Sequence, residues 1–126
     1  MGKKRILIVE DEGTSRALLA AELQRAGYQV FQSKSGEEAF QVAKAVRPDL
    51  IISDIVMPGM DGNQLIKRVR QSEFGKNIPF IVLTAHANMQ DYFELMDVED
   101  FITKPFDPQD LVARVEKVFA KAKEDG

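Results

Sequence analysis

The sequence predicts an α/β fold, a doubly wound (βα)5 sandwich with a parallel five-stranded sheet in the order 2-1-3-4-5. Three observations predict it. Short apolar runs alternate along the chain with longer stretches of helical periodicity, which is the pattern of strands joined by crossover helices. The first run, RILIVE at 5–10, is almost continuously apolar, as expected of a central strand covered on both faces. A length of 126 residues with 44% hydrophobic content fits one domain over 1–126.

The remaining elements follow from apolar periodicity and from residues that start or stop a helix. Gly27 ends the first helix, and Ser35 with Glu38 forms a capping box for the second. Asp61 and Asp107 can cap two later helices. The first helix is assigned from the spacing of Leu18, Leu19, Leu23 and Ala26. After the first strand, the predicted elements are a helix over 14–26, a strand over 28–32, a helix from 35 to about 46, a strand over 50–53, a helix after 61, a strand over 80–83, a weaker helix over 88–96, a strand over 101–102 and a final helix from 108.

The composition excludes several classes of function. The chain has no cysteine, so it has neither disulfides nor thiolate metal sites, and we expect a reducing, cytoplasmic location. The apolar run near the start, 6–9, is too short for a signal peptide or a membrane span. A net charge of -3 offers no basic surface for nucleic acid. We therefore expect protein or small-ion partners, with no direct nucleic-acid binding and no membrane insertion.

Polar residues follow four of the five predicted strands, at the edge of the sheet where doubly wound proteins bind ligands. Each alone is more often a helix cap or turn residue. In the predicted strand order they converge, and clustered carboxylates repel one another unless a cation is present. The residues are Glu10 and Asp11 after strand one, Asp54 after strand three, Thr84 after strand four and Lys104 after strand five.

This set of side chains predicts metal-dependent phosphoryl transfer. Carboxylates without histidine or cysteine favour Mg²⁺, with Mn²⁺ as an option, rather than zinc. Such a site neutralises charge on a transferred phosphoryl group. Asp54 is the candidate nucleophile, which would form an acyl phosphate. Lys104 and the metal would share the developing negative charge, and the Thr84 hydroxyl would donate to a phosphoryl oxygen.

Four motifs occur in order along nearly the whole chain: ILIVEDE, IISDIVMPGMDG, IVLTA and FITKPF. Together they resemble the receiver domains of bacterial response regulators, the phosphoacceptors of two-component signalling, whose fold is that of the chemotaxis regulators. The resemblance implies that Asp54 becomes a 4-aspartylphosphate and that the chain is one receiver domain over 1–126. It implies that Asp11 is a direct metal ligand, with Glu10 acting largely through water and Val56 contributing its backbone carbonyl.

The resemblance also implies a switch. Thr84 would move towards the phosphoryl group and the ring of Phe101 would fill the vacated space, changing the surface of the fourth helix, fifth strand and fifth helix. Lys104 would contact the phosphate and precede a cis peptide bond to Pro105. Apolar Val56 would slow hydrolysis of the acyl phosphate, and His86 is expected to be an exposed loop residue.

The implied partners are a histidine kinase or phosphotransfer protein, which donates the phosphoryl group, and a downstream effector protein or domain. The chain would catalyse only its own phosphorylation and slow autodephosphorylation, so it would not be an enzyme in the usual sense. An alternative of the same fold is a phosphorylation-independent binding module.

Two rival classes are less consistent with the residues. A flavin-binding electron-transfer protein needs a Ser/Thr- and Gly-rich phosphate loop after strand one, where this chain has the acidic sequence EDEGTS. A phosphohydrolase of the haloacid dehalogenase type also uses an Asp nucleophile after a strand. It requires a second Asp two residues later, as general acid, where this chain has Val56.

Overall fold

The computed structural model describes residues 2–55, 62–85 and 98–125, with side chains described as far as 122. Several positions assigned from the sequence lie outside these ranges. They are Val56, the predicted helix cap Asp61, His86 and the predicted helix over 88–96.

The described residues form a five-stranded sheet covered by helices. All four strand pairings are parallel, in the order β2-β1-β3-β4-β5, which confirms the predicted fold class and strand order. The elements are β1 Arg5–Val9, α1 Gly13–Arg25, β2 Gln29–Ser33, α2 Gly36–Val46, β3 Leu50–Asp54, α3 Gly62–Gln71, β4 Phe80–Thr84, β5 Asp100–Thr103 and α4 Pro108–Asp125.

The hydrophobic core lies on both faces of the sheet. Helices α2 and α3 pack on one face and helices α1 and α4 on the other. In β1, Leu7 and Val9 join the first cluster, whereas Ile6 and Ile8 join the second. Successive side chains of a strand point to opposite faces, so a strand covered on both sides must be apolar at every position. This explains the unbroken apolar run from which the central strand was predicted.

Side-chain capping fixes where the helices begin. The Ser35 hydroxyl accepts a hydrogen bond from the Glu38 amide, and the Asp107 carboxylate accepts one from the Gln109 amide, as their predicted cap roles require. Helix α1 begins at Gly13, one residue before the predicted start, because the Glu12 carboxylate acts as its cap. At the other end of α1, Gly27 has φ +101°, a conformation that side chains disfavour.

The apolar periodicity of α1 differs in part from the prediction. Leu19, Ala20 and Leu23 are buried against the sheet, but Leu18 is 56% exposed. Neighbouring positions on a helix are separated by about 100°, so Leu18 points away from the face that Leu19 occupies.

The described part of the chain contains no helix with the length and apolarity that a membrane span requires.

Candidate functional site

The carboxyl ends of four neighbouring strands bring the predicted site residues to one edge of the sheet. Asp54 is the last residue of β3 and Thr84 the last residue of β4. Glu10 directly follows β1, and Lys104 directly follows β5. The backbone continues these pairings beyond the strands, because the Lys104 amide donates to the Thr84 carbonyl at 2.6 Å and the Ile55 amide donates to the Leu83 carbonyl at 3.1 Å.

Lys104 lies between two carboxylates. Its Nζ donates to Asp54 Oδ2 at 3.0 Å and also to Glu10 Oε1. Glu10 is fully buried and only 8% of Asp54 is exposed. Burying charged groups is costly unless they are paired, and Lys104 provides that pairing for both acids. The Lys104–Pro105 peptide bond is cis.

Asp11 completes a cluster of three carboxylates. Glu10, Asp11 and Asp54 each offer an oxygen, and these oxygens all lie within 4.8 Å of one another. Asp11 is exposed, in contrast to the other two. The cluster therefore has two buried acids and one acid that faces solvent, which leaves an open side from which a ligand can approach.

The electrostatics of the site are dominated by burial and by Lys104. Burial raises the pKa of Glu10 above its ordinary value of 4.5, and the neighbouring Asp54 carboxyl adds to the rise, while the hydrogen bond from Lys104 acts in the opposite direction. Burial alone would lower the pKa of Lys104, but hydrogen bonds to Glu10 and Asp54 and their charges raise it. Lys104 is therefore held in its charged form.

The three carboxylates fit a hard divalent cation. Glu10 Oε2 is buried and has no hydrogen-bond partner among the described residues, which is costly for a polar atom unless a ligand satisfies it. Two oxygens bound to one Mg²⁺ at 2.0–2.1 Å are at most about 4.2 Å apart, so the side chains would need only small adjustments. The donors are all oxygens, which is the set that Mg²⁺ prefers.

The backbone behind Asp54 is closely packed against the start of α3. A Cβ atom on Gly62 would lie 2.6 Å from the Asp54 carbonyl oxygen and 2.8 Å from Ile55 Cα. The Gly62 amide also donates to the Ile55 carbonyl at 3.0 Å, and the Ser53 hydroxyl donates to the Asp54 carbonyl at 2.9 Å. Gly62 was part of a motif noted in the sequence, but only the structure shows that its lack of a side chain permits this contact.

The predicted switch residues differ in burial. Thr84 is fully buried at the end of β4, and it pairs in register with Thr103 of β5. Phe101 is half-buried and packs against the core cluster on the α2 and α3 face. The structure thus places Thr84 at the edge that carries Asp54 and places Phe101 two residues before the end of the neighbouring strand.

The sequence comparison decides the family. A family model described as the response regulator receiver domain matches residues 6–116. The chain belongs to this family. The match begins at the second residue of β1 and ends half-way along α4, and it agrees with the resemblance recognised from the four motifs.

A curated relative of this receiver domain is the phosphate regulon transcriptional regulatory protein PhoB of Pseudomonas aeruginosa. The two are 38% identical over 120 residues, covering 94% of this chain and 52% of the relative. The chain spans about half the length of the curated relatives it matches.

Solved structures of receiver proteins share the fold. The chemotaxis protein CheY4 of Vibrio cholerae matches with a TM-score of 0.87 and 31% identity, over 93% of this chain and 99% of that chain. The response regulator TrrA of Thermotoga maritima, solved in complex with Mg²⁺-BeF, matches with a TM-score of 0.82 and 34% identity, over 90% of this chain and 97% of that chain.

Proposed function

We propose that this receiver domain accepts a phosphoryl group on Asp54 from a phosphohistidine, in a reaction that depends on Mg²⁺. The observation that carries the proposal is the convergence of Asp54 with Lys104 and with the Glu10 and Asp11 carboxylates at one edge of the sheet. Membership of the receiver family supports it, and it favours this function over the flavin-binding and phosphohydrolase alternatives. The donor would be a histidine kinase or phosphotransfer protein.

The reaction forms one bond and breaks another at phosphorus. A carboxylate oxygen of Asp54 attacks the phosphorus, and the P–N bond to the donor histidine breaks with its electron pair remaining on nitrogen. Lys104 Nζ, already 3.0 Å from Asp54 Oδ2, would pair with a phosphoryl oxygen, and the Thr84 hydroxyl would donate to another. Bound Mg²⁺ would neutralise charge on the phosphoryl oxygens.

The protein's own ligands for the metal would be Asp11 directly and Asp54, with Glu10 acting largely through water. The orphaned Glu10 Oε2 and the exposed Asp11 carboxylate support this assignment. The magnesium complex of the Thermotoga maritima relative supports the choice of metal. The Val56 carbonyl as a further ligand, and Mn²⁺ as a substitute, stay predictions.

Phosphorylation would change the surface beside β5. The added charge of about -1.5 to -2 attracts the buried Thr84 hydroxyl, and Phe101, which is only half-buried, would then turn inward. The affected surface comprises β5, α4 and the segment predicted as the fourth helix. A downstream effector protein or domain would read this surface, and slow autodephosphorylation would reset it.

The test is phosphorylation by acetyl phosphate with Mg²⁺, scored by intact mass. We expect wild-type protein to gain one phosphoryl group, and we expect Asp54→Asn and a chelator-treated sample to gain none. Peptide mapping should place the group on the peptide that contains Asp54. Unchanged labelling in Asp54→Asn would rule out this acceptor. A wild type that takes up no phosphoryl group, yet still binds a protein partner, would favour the phosphorylation-independent binding module.

A further inference from the structure

Arg16 joins the loop between β1 and α1 to the body of the helix. Its Nη1 donates to the Glu10 backbone carbonyl at 2.7 Å, and its own backbone amide donates to the Glu12 carbonyl at 3.0 Å. The Glu12 carboxylate in turn accepts hydrogen bonds from the amides of Thr14 at 3.0 Å and Ser15 at 2.7 Å. Both residues that flank Asp11 are therefore tied to α1.

Asp11 itself depends on this anchoring. Its carboxylate is exposed and has no hydrogen-bond partner among the described residues. Its position is set by the backbone on either side. On the Glu10 side, the Glu10 amide donates to the Ser33 carbonyl at 3.0 Å, and the Arg16 contact holds the Glu10 carbonyl, which is the group next to Asp11. Without it, repulsion among carboxylates whose oxygens lie within 4.8 Å of one another would favour separation of the loop from β3.

The atom that Arg16 contacts distinguishes it from Lys104. Arg16 donates to a neutral carbonyl, so it occupies none of the carboxylate oxygens that a cation would need. Lys104 donates to carboxylate oxygens of both Glu10 and Asp54 and so competes with a cation for them. A guanidinium with a half-buried position and a backbone acceptor is suited to orienting a ligand-bearing loop.

We propose that Arg16 is a positioning residue for divalent-cation binding, which holds the Glu10 carbonyl and thereby presents the Glu10 and Asp11 carboxylates to the metal. This inference depends on the Mg²⁺ binding contained in the proposed function. It assigns Arg16 no contact with the metal or with the phosphoryl group.

The direction in which Mg²⁺ affinity changes when Arg16 is removed distinguishes a positioning role from a purely electrostatic one. If Arg16 acted only as a positive charge near the site, its removal would reduce repulsion and tighten Mg²⁺ binding. If Arg16 positions the loop, its removal weakens binding, and loss of a partner that orients a ligand typically costs 10–100-fold in metal affinity.

The experiment is Mg²⁺ titration of the full chain by isothermal calorimetry for four proteins: wild type, Arg16→Met, Arg16→Gln and Arg25→Met. We expect Arg16→Met to bind Mg²⁺ roughly tenfold more weakly than wild type. Arg16→Gln keeps an N–H donor without the charge, so it should recover part of the affinity. Arg25→Met removes the same charge at the far end of α1, where Arg25 pairs with Glu22, and should bind like wild type.

Hydrogen exchange in the absence of metal provides a second readout. We expect faster exchange over 10–13 in Arg16→Met and no change there in Arg25→Met. Equal or tighter Mg²⁺ binding by Arg16→Met would overturn the role of Arg16 while leaving the proposed function intact. If Arg16→Met does not fold, the Mg²⁺ affinity of Arg16→Gln decides instead, and tighter binding than in wild type would overturn the proposal. A wild type that binds no Mg²⁺ would instead refute the metal dependence of the proposed function.

Discussion

Lys104 balances the charge of two acids at once, the buried Glu10 and the nearly buried Asp54. Each carboxylate would be costly to bury as an anion without it. The same contacts have a second consequence. A cation that enters the site must share carboxylate oxygens that already accept hydrogen bonds from Lys104. We therefore expect Lys104 to stabilise the metal-free protein and to oppose metal binding.

Replacing Lys104 with Met should separate these two effects. We expect the free energy of unfolding without metal to fall by roughly 3 kcal/mol, because removal of one partner leaves buried carboxylates unpaired. The increase in Tm produced by saturating Mg²⁺ should be larger than in wild type. Thermal unfolding with and without Mg²⁺ measures both, and Lys117→Met, at an exposed position of α4, is the control. An unchanged metal-free Tm would contradict the charge-balancing role.

The convergence of the candidate site residues at one edge of the sheet was predictable from the sequence, but their contacts were not. Parallel strands end at the same edge of a sheet, so Asp54, Thr84 and Lys104 had to meet once the strand order was known. Which carboxylates Lys104 pairs with depends on side-chain rotamers. The Arg16 contact with the Glu10 carbonyl was missed for the same reason, since an arginine in the first turns of a helix carries no signal for a backbone acceptor.

Helix α1 begins with an acidic cap, and this makes its stability depend on pH. Hydrogen bonds from the Ser15 and Thr14 amides lower the pKa of Glu12 below its ordinary value of 4.5. A lowered pKa in the folded state means that the stabilisation is complete above the unfolded value and is lost as the pH falls through the folded value.

We therefore expect Glu12→Gln to lower the Tm at pH 7. The difference from wild type should shrink as the pH falls below about 4.5, the ordinary value, and through the lower pKa of the folded protein. Thermal unfolding of both proteins from pH 7 to pH 3, without Mg²⁺, measures this. A Tm difference that stays constant over the whole range would show that the charge of the cap contributes nothing.

The contact between β3 and α3 depends on the absence of a side chain at Gly62. We expect Gly62→Ala to lower the free energy of unfolding by about 1–3 kcal/mol, because its Cβ would overlap the backbone of Asp54 and Ile55. Gly13→Ala is the matched control, since a Cβ there would meet only Arg16 Nη2, at 3.8 Å. Denaturant unfolding measures both variants, and equal stability of Gly62→Ala and wild type would refute the steric argument.

Element type was easier to predict than element boundaries. The apolar patterns along the chain identify all nine described elements. Strands within the sheet and helices packed against it bury different patterns of residues, and these patterns alternate along the sequence. The start of α1 was misplaced by one residue, because the cap is a glutamate, whereas the usual caps are Ser, Thr, Asp and Asn. Leu18 was predicted to belong to the apolar positions of α1, together with Leu19. Only Leu19 is buried, because the packing of α1 on the sheet determines which of the two neighbouring leucines faces the core.

At the scale of the whole molecule, metal binding should be linked to folding. A cation that binds only the folded state stabilises it by about 2.7 kcal/mol when its concentration is 100 times Kd. We expect Mg²⁺ to raise the Tm of wild type and to have much less effect on Asp11→Asn. Asp49→Asn carries the same substitution at the opposite end of the sheet, where Asp49 accepts a hydrogen bond from the Arg5 amide, and it should retain the full Mg²⁺ effect. An equal Mg²⁺ effect in all three proteins would contradict binding at this site.

The strand order also has a consequence for how the protein is made. Strand β1 is flanked by β2 and β3, yet β1 ends at Val9 and β3 begins at Leu50. At a translation rate of about 5–20 residues per second, several seconds pass before the ribosome has released the second partner of this strand. During that interval one hydrogen-bonding edge of β1, which is apolar at every position after Arg5, is unpaired, and such edges promote aggregation. The newly made chain, rather than the finished domain, is therefore the form that most needs a chaperone.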